Sequence, residues 1–182
     1  MPAPEITFQL HDGRRAAAHG AELQALHTEV YGRDKDDARL AGRFSVQCRQ
    51  PGFVLAEARS GGFLVGCTAG MPLRPSTSWW RDVTTPLPDQ ITAEHPGRTF
   101  ALIELLVRAS WRRQGIGRSL HDLILVSRRE ERATVVVPTT ATAALTAFHN
   151  WGWRKIARTR NPGTGSPASD VLVITLPAKH EP

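Results

Sequence analysis

Residues 105–118 read LLVRASWRRQGIGR, with Gly115 and Gly117 one residue apart. An apolar run ends at Val107, a short loop follows, and helical periodicity starts at Ile116. Glycines at the turn into a helix remove side chains where backbone N–H groups have no intrahelical partner, and the helix dipole adds partial positive charge there. That combination suits a phosphate or pyrophosphate. Arg112, Arg113 and Arg118 bring three guanidinium groups to the same place. Single residues weaken the match to two common phosphate loops. A Walker A loop needs Gly-Lys-Ser/Thr, and Gly117 is followed by Arg118 and Ser119. A dinucleotide fingerprint needs a third glycine where Leu120 stands, and it usually follows the first strand, not the fourth.

Glu104 is the second feature with chemistry in it, the one charge inside the apolar run 100–107. A carboxylate there is costly unless it is paired or solvated. Alternation along a strand turns it away from Ile103 and Leu105. It is either a general base or a solvent-facing or Arg-paired carboxylate. Cys48 and Cys67 make no disulfide framework, and nothing near Cys67 in sequence lowers its pKa for acyl carriage. No Cys or His cluster has ligand spacing, so no metal is expected.

The elements that must position these residues follow from periodicity. Residues 5–10 read as a strand, 11–13 as a turn, and 16–31 as a helix with Leu23, Leu26 and Val30 inward. Residues 36–47 form a second helix with Leu40, Phe44 and Val46 inward. Strands at 53–58 and 63–71 flank a Ser60-Gly61-Gly62 turn. Residues 72–97 are rich in Pro, Thr and Trp and lack periodicity, a long excursion of the kind that often carries function. A central strand is predicted at 99–107, helices at 116–129 and 141–151, and strands at 134–137, 154–159 and 170–176. The order predicts one α/β domain over residues 1–182, a mixed sheet with helices packed on it.

Arg112, Gly115 and Gly117 match the Gln/Arg-x-x-Gly-x-Gly/Ala signature of the Gcn5-related N-acetyltransferases (GNAT), after an LLV strand end and before an amphipathic helix. A second family element, an Ala-rich helix ending in Phe-Tyr and followed by Gly-Phe, is similar to residues 143–153, AALTAFHNWGW. The resemblance covers most of the chain in element order and is sharp over 101–154. It implies the GNAT acyltransferase fold, a mostly antiparallel sheet whose fourth and fifth strands run parallel and splay apart. It implies acetyl-CoA as cofactor, its pantetheine arm on the N–H groups of Leu105, Leu106 and Val107. The pyrophosphate then rests on the segment of Arg112, Arg113, Gln114, Gly115, Ile116, Gly117, Arg118 and Ser119. The fourth-strand acid, here Glu104, acts as general base. The family's usual general acid is a Tyr where this chain has His149, an imidazole able to protonate a thiolate or a plain helix-surface residue. Thr142 stands where the family often has an Asn on the pantetheine arm; its hydroxyl either takes that role or, the favoured reading, caps the helix. The expected activity is acetyl transfer to a primary amine of a small molecule or peptide, by direct attack in a ternary complex. The missing Tyr supports the alternative, a module that binds acyl-CoA with little turnover. The resemblance also allows a homodimer through terminal strands.

Trp79 and Trp80, inside the long excursion, wall an acceptor pocket or pack the loop onto the sheet. Asp34, Asp36 and Asp37 read as a solvated helix start. The 182 residues carry a net charge of +6, and Lys35, Lys155 and Lys179 are the only lysines among 23 basic residues. The arginine excess fits a phosphate-rich ligand. The arginines are scattered and form no recognition motif, so nucleic acid is not an expected partner. No apolar stretch approaches a membrane span. Residues 1–8 carry no basic n-region and no long apolar h-region, so the expected address is cytoplasmic.

Overall fold

The structure is a computed structural model that describes residues 5–32, 37–160 and 168–177, and, within the second stretch, the side chains from residue 42 onward. The expected acidic run falls mostly outside: Asp34 and Asp36 are not described, and Asp37 only as backbone. Seven strands form one sheet in the order β1-β2-β3-β4-β5-β7-β6. The chain divides into two compact units, Met1–Met71 with Ile103–Arg128, and Pro72–Leu102 with Arg129–Pro182.

In the first unit, β1 (Ile6–Asp12) pairs antiparallel with β2 (Val54–Ser60), and β2 pairs antiparallel with β3 (Phe63–Pro72) across the Gly61-Gly62 turn. The turn expected at 11–13 is instead the end of β1, because the Asp12 side chain accepts from the Arg15 amide at 2.9 Å and starts a helix. The single helix expected at 16–31 is two: α1 (Gly13–Ala17) and α2 (Gly20–Tyr31). His19 sits at the break, with its Nδ1 2.6 Å from the Glu57 carboxylate on β2. That long-range bond, invisible in the Ala-rich periodicity, sets the junction. After α3 (Asp37–Cys48), the chain enters β2.

Leu23 and Leu26 of α2, Cys48 of α3, and Phe53, Leu55, Cys67 and Leu106 form the core of this unit. Phe44 packs edge-on against Phe53, with ring centroids 6.1 Å apart. Val46, expected inward, is 59% exposed, since it lies off the face that carries Phe44 and Cys48. α5 (Ile116–Val126) packs against β2 through its buried Ile116, Leu120 and Ile124. Glu57, fully buried, is offset by Arg59 Nε at 2.9 Å and by His19. Burial alone would raise its pKa, but the bonds from Arg59 and His19 outweigh that and hold it below the usual carboxylate value. The sequence offers no clustered ligand spacing, yet the fold brings His11, His19 and Glu57 within 4.8 Å of one another. Arg59 already supplies the positive charge this cluster needs.

In the second unit, Thr99–Leu102 of β4 (Thr99–Val107) runs parallel to Arg132–Val135 of β5 (Arg132–Pro138). That ladder ends at Leu102; residues 103–107 of β4 belong to the first unit. β5 pairs antiparallel with β7 (Ser169–Thr175), which pairs antiparallel with β6 (Arg154–Thr159). Phe148 of α6 (Thr142–Asn150) meets Trp151 and Trp153 edge-on at 5.4 and 5.3 Å. The excursion at 72–97 holds one short helix, α4 (Asp89–Thr92). Among the described residues, no helix is long and apolar enough to cross a membrane.

Candidate active site

The second half of β4 is anchored to β3. Thr68 Oγ1 donates to the Glu104 carbonyl at 2.6 Å, and Arg108 donates from its amide to Val65 O at 2.9 Å and from Nε to Leu64 O at 2.7 Å. Gly66 permits the close approach: a Cβ there would stand 2.8 Å from the Leu106 carbonyl. Past Val107 the chain makes one 3-10 turn (Ala109–Trp111), and Arg112 Nε returns to the Val107 carbonyl at 3.0 Å. Arg113 (φ +61°) and Gly115 (φ +80°) are both left-handed. Alternating backbone of this kind turns successive amides toward one concavity, a nest for an anion. Gly115 is the N-cap of α5 and offers no side chain to its amides, and no acidic residue occupies the first turn. The Ser119 amide is the first to return to a carbonyl, that of Gly115, at 2.9 Å. Open space lies where a Gly115 side chain would stand, with no other atom within 4 Å. Arg118 reaches along the helix to Asp122 at 2.7 Å. Amides free of a side-chain cap at a helix start are the kind of group that can receive a phosphate.

Glu104 lies on the wall of a cavity of about 120 Å³ built from α2, α3, β2, β3 and β4 of the first unit. Its apolar lining includes Leu23, Phe44, Leu55, Cys67, Ala69 and Leu106. Ile103 also lines it, so alternation does not separate Ile103 from Glu104. Desolvation pushes the Glu104 carboxyl up to about 7; the Tyr31 hydrogen bond and the charge of Arg43 restrain the rise. Tyr31, at the end of α2, donates its hydroxyl to Glu104 Oε1 at 3.4 Å. The residue is 61% exposed, but its hydroxyl end sits against the carboxylate, and desolvation with that negative charge pushes its pKa up to about 12. A half-charged carboxylate beside a desolvated pocket is matched to taking a proton near neutral pH.

Neither a protein-family model nor a curated protein matches the chain. Solved structures do. The ribosomal-protein-S18-alanine N-acetyltransferase from Escherichia coli superposes with a TM-score of 0.68 at 11% identity, covering 97% of both chains. An acetyltransferase of the GNAT family from Streptococcus pneumoniae gives 0.65 at 12% identity, over 95% of this chain and 100% of that one. NAA60 from Arabidopsis thaliana, solved in complex with acetyl-CoA, gives 0.68 at 14% identity, over 94% and 98%. The chain has the GNAT acetyltransferase fold. The mixed sheet with parallel β4 and β5 and flanking helices is the architecture the sequence pointed to.

Leu105, Leu106 and Val107 end β4, and residues 112–119 form the turn and first helical residues next to it, so the structure joins Glu104 and the phosphate-binding candidates in one unit. Trp79, Trp80, Thr142 and His149 belong to the other unit. Trp80 is buried there, donating Nε1 to Glu94 at 3.0 Å beneath the Arg132 guanidinium, and neither tryptophan is among the residues that line the cavity. Thr142 is the first residue of α6 and makes no cap: the N-cap is Ala141, and no side chain bonds the helix start. His149 is exposed near the end of α6, with Nδ1 3.2 Å from the Trp153 carbonyl. Sequence reading missed Tyr31, His27 and Arg43. A signal existed for two of them: Leu23, His27 and Tyr31 fall at i, i+4 and i+8, one stripe of α2, and the His27 and Tyr31 rings lie 4.6 Å apart. Nothing in the spacing told what that stripe would face.

Proposed function

We propose that the chain is an acetyl-CoA-dependent N-acetyltransferase, a single domain over residues 1–182 that acetylates a primary amine in a ternary complex. The observation that carries the reading is Glu104: a desolvated carboxyl on the wall of a cavity, on the strand that leads straight into an uncapped, glycine-bearing helix start. The nest at residues 112–119 takes the pyrophosphate of acetyl-CoA. The amides of Leu105, Leu106 and Val107, beyond the point where the β5 ladder ends, take the pantetheine arm. Neighbours of the same fold support that cofactor, since one was solved with acetyl-CoA and another with coenzyme A.

The chemistry needs a neutral amine, a polarised thioester carbonyl and a proton for the thiolate. Glu104, ionised above pH 7, takes a proton from the amine, directly or through water. Tyr31 orients that carboxylate. The amine nitrogen bonds to the carbonyl carbon, the carbon–sulfur bond breaks, and the thiolate takes a proton. His149, whose Nδ1 lies 3.2 Å from the Trp153 carbonyl, is the proposed donor. The test is thiol release from acetyl-CoA by the purified chain across a panel of primary amines. Amine-dependent release supports the reading. Binding of coenzyme A with no release from any amine would leave the non-catalytic module, which the missing Tyr at position 149 favours.

A further inference from the structure

Among the described residues, Glu104 and Arg43 are the formally charged side chains lining the Glu104 cavity, one anion and one cation. Arg43 stands on α3 and has no hydrogen bond or ion pair to another side chain among the described residues. Its charge is felt at Glu104. The other polar groups of the lining are the Gln24 and Gln47 amides and the His27 imidazole. The rest is apolar, and the volume of about 120 Å³ is well below the roughly 300 Å³ at which pockets for drug-sized ligands begin.

These facts select among amines. A polycation such as a polyamine or an aminoglycoside brings a second ammonium group, for which the described lining has no second carboxylate and which Arg43 repels. A simple apolar monoamine fits the floor but brings no acceptor for the Arg43 guanidinium. A guanidinium fork binds a carboxylate through two parallel bonds. The geometry points to a small zwitterionic acceptor: we propose a free amino acid with an apolar side chain, its carboxylate on Arg43, its amine at Glu104 and its side chain against Leu55, Phe44 and Leu106. The inference rests on the acetyltransferase reading. The products are the N-acetyl amino acid and free coenzyme A; the amine loses one proton to Glu104, and the departing sulfur gains one.

The experiment compares matched acceptors with and without the carboxylate: leucine against isopentylamine, and phenylalanine against 2-phenylethylamine, with spermidine and a leucine-initiated tetrapeptide amide as further arms. Thiol release from acetyl-CoA is the readout, and coenzyme A binding is measured separately by calorimetry. The amino acids are expected to exceed their decarboxylated partners in kcat/KM by about tenfold or more, as one charge-assisted pair supplies. Arg43→Gln should bring each pair to within about twofold, chiefly by raising KM for the amino acid. Arg43 is exposed, so this change spares the core. Equal or faster acetylation of the decarboxylated amines, spermidine or the tetrapeptide amide overturns the proposal, as does a carboxylate preference that survives Arg43→Gln. Binding of coenzyme A with no amine turned over removes the acceptor proposal and leaves the cofactor site standing. No binding of coenzyme A removes both.

Discussion

Glu104 carries opposite consequences for catalysis and for stability. Its carboxyl titrates near pH 7 because desolvation disfavours the charge. The acetylation rate should therefore rise with pH through an acid limb near 7, and Glu104→Gln should abolish that limb and lower the rate at neutral pH more than it changes coenzyme A affinity. A pH–rate profile unchanged in the variant removes Glu104 as base. For stability the sign runs the other way. The folded state holds the proton more tightly than the unfolded chain, so stability is lost as pH rises from the ordinary carboxyl value of 4.5 toward 7. Each pKa unit is worth about 1.4 kcal/mol, a total on the order of 3 kcal/mol. Glu104→Gln is thus expected to raise the unfolding midpoint at pH 8 by several degrees and to change it little at pH 4, as scanning calorimetry would read; a lower midpoint at pH 8 contradicts the desolvation account. Tyr31→Phe removes a bond that favours the charged carboxylate. Its acid limb should move to higher pH, and a limb that stays in place or moves down rules out the positioning role. The type of Glu104 and its apolar setting were legible in the sequence. Tyr31 was not, because 73 residues separate it from its partner and only the folded chain joins them.

Elements were legible where one local force set them. β4 falls on the predicted 99–107 and β6 on 154–159, since an apolar run interrupted only by Glu104 and a β-rich segment between turn residues leave little choice. They were misread where a distant contact decides. At the break between α1 and α2, His19 reaches Glu57, and locally only Gly20 marks the place. Val46 was placed inward by a period that α3 does not follow at its end. The start of α5 is the element on which function rests. Its glycines, its lack of a side-chain cap and its lack of first-turn acid are the features on which the proposed anion site rests. Gly117→Trp puts a bulky side chain in the first helical turn, beside the amides of that start, at a position that is not one of the buried residues Ile116, Leu120 and Ile124. Far-ultraviolet circular dichroism is expected to keep its native form while coenzyme A binding falls by at least a hundredfold. Retained affinity in a folded variant moves the cofactor elsewhere.

At the scale of the molecule, fold and function rest on different kinds of support. The GNAT architecture extends over nearly the whole chain at 11–14% identity to the superposed structures, so geometry persists where sequence has drifted. The chain's own surplus of positive charge, +6 overall, favours a polyanionic ligand through long-range attraction, and the local nest gives that attraction an address. Attraction of this origin weakens as salt rises, because exposed charges are screened over about 8 Å at physiological ionic strength. The central claim, that the turn from β4 into α5 holds the diphosphate of coenzyme A, is tested most directly by isothermal calorimetry of the pure chain with coenzyme A and acetyl-CoA at low and high salt. The expected result is one site per chain, a Kd on the order of micromolar that rises with salt, and no heat in Gly117→Trp. No heat from the wild-type chain with either ligand at millimolar concentration, or the same heat in Gly117→Trp, contradicts it.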